Sequence, residues 1–125
     1  MVSGHIVTAA MNVHTALGPG LLESTYEVCL AHALRCQHLH VETQRLLPIT
    51  YEGIKLDAGY RIDLLVEHQI IVELKSVEKI APIHIAQLLS YLKLSNLQLG
   101  LLINFNVVHL KQGVKRVVNG LRSDE

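Results

Sequence analysis

Asp63, Glu73 and Lys75 are the side chains of this sequence best placed to act on an anionic substrate. They fall in the run Asp63-Leu-Leu-Val-Glu-His-Gln-Ile-Ile-Val-Glu73-Leu-Lys75, two β-rich stretches separated by Glu67-His68-Gln69, which reads as a hairpin. Glu73 and Lys75 are two apart in a strand and share one face. A hairpin centred on His68 sets Val66 against Ile70 and Asp63 against Glu73, with the opposed Cβ atoms about 5 Å apart. Like charges so placed destabilise a sheet, and a hard divalent cation offsets that cost, since Mg²⁺ favours one or two carboxylates together with water and phosphate oxygens. Lys75 adds a positive charge able to hold an attacking water or a phosphoryl oxygen. The set suits cleavage of a phosphodiester. The rival reading is a surface cluster in which Lys75 merely neutralises Asp63 or Glu73. The apolar flanks Leu64-Leu65-Val66 and Ile70-Ile71-Val72 favour the first, because they put the charges at the mouth of a buried hairpin.

A second group lies further along. Gln87 and Tyr91 are four apart, on one helix face, with His84 a turn earlier. Amide and phenol can contact a phosphate or a base; equally, Tyr91 can pack and Gln87 can cap a backbone group. His84 and His68 are expected nearer the carboxylates than the other histidines, His84 as a candidate for proton transfer. His38 and His40 are two apart, but no Glu or Cys completes a zinc set, so they read as surface or helix-terminal residues. Gly18-Pro19-Gly20 is not a phosphate loop: Pro lacks the needed N–H and no Gly-Lys-Ser/Thr follows.

The elements that position these groups follow from periodicity. Ile6 to Leu17 reads as a helix with Ile6, Ala9/Ala10, Val13 and Leu17 on one stripe, stopped by Gly18-Pro19-Gly20. Leu21 to about His38 reads as a second, with Leu22, Tyr26, Cys29/Leu30, Ala33 and Leu34 apolar and Glu23 and Glu27 at its positive end. The period then changes to two from Val41 to Tyr51, a strand made irregular by Pro48. Gly53 to Gly59 reads as a turn region, Tyr60–Val66 and Ile70–Lys75 as the hairpin. Pro82 to about Leu94 is a third helix, burying Ile85, Leu88, Leu89 and Leu92. Leu99 to Phe105 is a central strand or an interface; Val107–Leu110 and Val114–Val118 are short extended candidates. The order implies an α/β fold with a mixed sheet flanked by helices.

The chain has 125 residues, half of them hydrophobic, with 11 Lys plus Arg against 11 Asp plus Glu. Residues 1–125 are expected to form one domain, and disorder is excluded. The balanced charge argues against a polybasic nucleic-acid binder. Cys29 and Cys36 are seven apart, about 10 Å along a helix and too far for a disulfide, so free and mostly buried thiols in a reducing compartment are expected. With neither a secretory signal nor an apolar run of membrane-spanning length, a cytoplasmic location is expected, with no membrane partner.

The run Gly20-Leu-Leu-Glu23-Ser-Thr-Tyr26 resembles the signature of the GxxExxY protein family, a branch of the PD-(D/E)XK nuclease superfamily. Asp63, Glu73-Leu-Lys75, Gln87-Leu-Leu-Ser-Tyr91-Leu, Gly100-Leu-Leu-Ile-Asn-Phe105 and Gly113-Val-Lys-Arg116-Val follow in that family's order, so the likeness runs from about Val7 to Val118. The resemblance implies a restriction-endonuclease-like core and a Mg²⁺-dependent nuclease, with Mn²⁺ as substitute, that hydrolyses DNA by metal-activated water. It makes Asp63, Glu73, the Leu74 carbonyl and Glu23 the metal ligands. Lys75 becomes the residue that positions water, Gln87 and Tyr91 substrate contacts as in RecB-like exonucleases, and Arg116 a phosphate contact. With Glu23, Asp63 and Glu73 at a divalent ion, the rest of the surface becomes mildly basic. A homodimer or an accessory partner is expected to extend the grip on substrate. The alternatives are a non-catalytic module that kept the fold, and a nuclease whose target is RNA.

Overall fold

The computed structural model describes residues 1–57 and 59–120. Two helices, α1 (Val2–Leu17) and α2 (Glu23–Cys36), precede five strands: β1 (Val41–Leu46), β2 (Ile49–Tyr51), β3 (Ile54–Leu56), β4 (Arg61–Val66) and β5 (Ile70–Lys75). Helix α3 (Pro82–Ser95), β6 (Leu99–Asn104), a 3₁₀ turn at Leu110–Gly113 and β7 (Val114–Val118) complete the chain. A five-stranded sheet has the order β1-β4-β5-β6-β7, antiparallel except for the parallel pair β5–β6 that α3 connects. The mixed α/β fold predicted from periodicity is therefore the one formed.

Side-chain alternation divides the core between the two sheet faces. Ile70, Val72 and Leu74 of β5, with Leu101 and Ile103 of β6, pack under α1 and α2 against Ile6, Ala10, Tyr26, Leu30 and Leu34. Ile71 and Leu102 face the other way, onto Leu88, Tyr91 and Leu92 of α3. Being covered on both faces, β5 and β6 need nearly continuous apolar sequence, and Glu73 is the buried charged residue of β5, only 5 % exposed. The apolar run from Leu99 is thus a central strand rather than an interface.

Several boundaries differ from those read in the sequence. The predicted strand Val41–Tyr51 breaks at Leu47-Pro48, because Pro has no N–H to give a ladder; β1 pairs with β4, while β2 turns through Glu52-Gly53 to pair with β3, inside the stretch expected to be a turn. Val107–Leu110 is not a strand: buried Leu110 starts the 3₁₀ turn instead. That turn lies so close to β6 that a Cβ on Gly113 would stand 2.2 Å from the Asn104 carbonyl oxygen. Helix α1 begins before Ile6, and Leu22, expected to be buried, is exposed before α2. In α3 the buried stripe is Leu88, Tyr91 and Leu92, while Ile85 is partly exposed. Both cysteines are free, but Cys36, in the last turn of α2, is exposed rather than buried. No helix of the described residues is long and apolar enough to cross a membrane.

Candidate active site

The β4–β5 hairpin has the register that centring on His68 requires: Val66↔Ile70, Leu65↔Ile71 and Leu64↔Val72. The turn residues Glu67 and His68 both have left-handed φ (55° and 54°), as a tight hairpin turn needs. Beyond Leu64↔Val72 the strands open into a fork, and the carboxylates take over from the ladder. The Asp63 N–H donates to Glu73 Oε2 at 2.8 Å, and the Leu74 N–H donates to Asp63 Oδ2 at 2.8 Å. The two acids are brought together as the sequence predicted, but each is engaged by a main-chain amide of the other strand.

Burial dominates the electrostatics. It pushes Glu73 up to about 8, aided by the charge of Asp63 and opposed by the Asp63 N–H and by Lys75. Asp63 is also raised, first by burial and then by Glu23, against the Leu74 N–H, Gln44 and Lys75. Lys75 acts on both acids through space; among the described residues no ion pair within 4.0 Å includes it. A near-buried Glu73 without a contacting lysine is not a solvated surface cluster. Two acids that resist ionisation, Glu73 buried and Asp63 half-buried, with an open cleft beside them, suit a divalent cation, whose charge makes the ionised forms favourable.

Glu23 reaches the fork from α2. Its Oε2 accepts the Ser76 N–H at 3.0 Å, just past the end of β5, while the Ser76 hydroxyl donates to the Leu21 carbonyl at 2.7 Å. The loop before α2 is fixed by the other signature residues. Gly20 takes a left-handed φ of 93°, and fully buried Tyr26 donates to the Gly18 carbonyl at 2.6 Å and accepts the Leu21 N–H at 3.1 Å. The Tyr26 ring stacks on Phe105, centroids 4.3 Å apart. Glycine, glutamate and tyrosine in this spacing thus turn the chain, reach the fork and hold the turn.

Two residues of the site were not singled out from the sequence. Glu27 lies one turn after Glu23, and its carboxyl is raised by burial, with Asp63 adding repulsion. The Gln44 amide of β1 donates to Glu27 Oε1 at 2.5 Å and to Asp63 Oδ1 at 3.2 Å, from a backbone with φ of 50°. The i,i+4 spacing of Glu23 and Glu27 was the available signal; Gln44 had none, since a strained backbone position is not written in residue type. Buried Asn104 joins the end of β6 to the loop after β5, bonding the Val77 N–H at 3.1 Å and the Val77 carbonyl at 2.9 Å. Glu23, Glu27, Gln44, Asp63, Ser76 and Asn106 line an open cleft of about 1100 Å³.

The remaining candidates divide. Tyr91 is nearly buried under the sheet, and its phenol is raised first by desolvation and then by the charges of Glu73 and Asp63, so it belongs to the site's surroundings. Gln87 is exposed one turn earlier on α3. Arg116 is not brought to the cleft: it is exposed on β7 and lines a second cleft with His68, Asn96 and Asn119. His84 is committed elsewhere, its Nδ1 accepting the Ala81 N–H at 3.0 Å where α3 begins. His68 is not near the carboxylates either. It lies at the turn end of the hairpin, stacked on His40 with Glu42 beside them. The expectation that no Glu completes a set with His40 is therefore corrected: β1–β4 pairing delivers Glu42 and His68 to it.

A family model described as the PD-(D/E)XK nuclease superfamily matches residues 1–117, and the chain belongs to that superfamily. No curated protein and no solved structure matches the chain. Nucleases of this superfamily use divalent metals, and the carboxylates at the fork are the donor set that fits one.

Proposed function

We propose that the fork between β4 and β5 is the active site of a Mg²⁺-dependent nuclease that hydrolyses phosphodiester bonds of DNA. The observation that carries this reading is the crossed pair of carboxylates, half-buried Asp63 and buried Glu73, with Lys75 two residues on. Asp63, Glu73, the Leu74 carbonyl and Glu23 would hold the ion. When bound, it supplies Lewis acidity toward a phosphoryl oxygen and makes a nucleophilic water available near neutral pH.

The protein's own groups do the rest. Lys75 places positive charge beside the reacting phosphate, where low dielectric strengthens it. Gln44 and the Leu74 N–H hold Asp63 in one orientation, and Ser76 does so for Glu23. Gln87 and Tyr91 contact substrate from α3. Arg116, on a separate cleft, serves only nucleic acid that extends beyond the fork. Self-association or an accessory partner adds to the footprint, a reading supported by exposed Tyr51 and Ile54 on the β2–β3 ribbon and Ile83 on α3.

Digestion of plasmid and single-stranded DNA with Mg²⁺ or Mn²⁺ tests the proposal, with RNA in parallel. Wild type is expected to cleave DNA, and Asp63→Ala and Lys75→Ala to be inactive while folded. Activity that survives both substitutions overturns the assignment of roles, and cleavage confined to RNA overturns the substrate.

A further inference from the structure

Among the described residues, the set of three His, Cys, Asp or Glu donors whose ligand atoms all lie within 4.8 Å of one another is His40, Glu42 and His68. It sits at the opposite end of the β4–β5 hairpin from Asp63 and Glu73. Glu42 belongs to β1, His40 immediately precedes that strand, and His68 occupies the turn between β4 and β5.

Several features hold this trio in place. Val41↔Val66 and Glu42↔Leu65 pairing fixes β1 against the hairpin. The His40 N–H donates to Glu67 Oε2 at 2.6 Å, and the Glu67 N–H donates to the His40 carbonyl at 2.8 Å. The left-handed turn presents His68 to His40, with ring centroids 4.5 Å apart. The two oxygens of Glu42 have separate partners: Oε2 accepts from Arg45, and Oε1 lies 3.4 Å from His40 Nε2. Donors bound tetrahedrally at about 2.1 Å stand about 3.4 Å apart, so the His40–Glu42 pair already has the required span.

We propose that His40, Glu42 and His68 form a second metal site that binds Zn²⁺. Two imidazoles and one carboxylate are the three-ligand set of an open zinc site, whereas the all-oxygen fork suits a harder ion. Arg45 orients the carboxylate without occupying the oxygen that faces the imidazoles. The ion ties the start of β1 to the hairpin turn, so binding raises thermal stability through linkage.

The test is calorimetric titration of the full chain with ZnCl₂ in excess Mg²⁺, which occupies the fork, together with Zn²⁺-dependent melting by circular dichroism. The variants are His40→Gln, His68→Asn, which tolerates the left-handed turn, and Asp63→Asn as the fork control. The expected result is one Zn²⁺ bound per chain and a raised melting temperature. Affinity should fall at least about tenfold in His40→Gln and in His68→Asn, and remain unchanged in Asp63→Asn. Absence of Zn²⁺ binding, or Zn²⁺ binding lost in Asp63→Asn but kept in His68→Asn, overturns the proposal. Far-ultraviolet spectra of each variant show whether a loss reflects unfolding.

Discussion

At its open end the β4–β5 hairpin holds two carboxylates, Glu73 buried and Asp63 half-buried; at its turn end exposed His68 meets exposed His40 and half-buried Glu42 from the start of β1. The same hairpin contributes to both groups, and the difference lies in what surrounds them. Glu73 is covered by α3 and neighbouring strands, so its ionisation is opposed and its acid is pushed up to about 8. Glu42 is half-buried, more open than Glu73, and bonded to Arg45, so its acid is lowered, chiefly by that bond and then by His40. Ionisation at the open end is therefore opposed unless a cation compensates it, and at the turn end it costs little. Burial, rather than residue type, separates the acids at the two ends.

The largest difference between the two ends is expected at Lys75. Lys75→Ala is expected to lower Mg²⁺-dependent DNA cleavage by about 10²–10³-fold, the loss typical of one electrostatic contact to a transition state. Rates measured under single-turnover conditions check it, and a change below threefold would remove Lys75 from the chemistry.

The next effect is on pH dependence without metal. Glu73 has a folded-state value of about 8 against an ordinary 4.5. Between those values the native state binds more protons than the unfolded state, so stability falls as pH rises from about 4.5 to about 8. Melting temperatures in EDTA are expected to show this decline, Glu73→Gln to flatten it, and excess Mg²⁺ to oppose it. No such slope in wild type would mean that the open end is not electrostatically strained.

Packing of the open end can be perturbed from a distance. In Gly113→Ala the new Cβ meets the Asn104 carbonyl, whose residue anchors the loop after β5; a loss of about 1–3 kcal/mol in chemical denaturation is expected. The smallest effect is expected from Tyr26→Phe, which removes two hydrogen bonds at the entrance to α2 but keeps the ring on Phe105. That change should cost about 1–2 kcal/mol, with a modest fall in cleavage as Glu23 loosens. Cleavage unaffected by Tyr26→Phe despite lower stability would show that Glu23 is not positioned by this turn.

The open end was largely legible in the sequence. The two apolar β-rich runs either side of Glu67-His68-Gln69 gave the hairpin centred on His68, and that register joins Asp63 to Glu73. Glu23 was readable through its spacing from Gly20 and Tyr26. Gln44 was not, since its role comes from a left-handed backbone in mid-strand. The turn end was illegible for a different reason: His40 and His68 are far apart in sequence, and only β1–β4 pairing brings them together. Likewise Pro48 signalled an irregularity, but whether the chain bulged or left the sheet for the β2–β3 ribbon depended on partners that a local pattern does not name.

The proposed chemistry requires a metal ion at the fork. A crystal structure of the wild-type chain grown with Mn²⁺, with anomalous difference density calculated at the manganese edge, tests it most directly. A peak is expected between the Asp63 and Glu73 carboxylates. A well-ordered fork with no peak there, whether or not density lies at His40, Glu42 and His68, would contradict it.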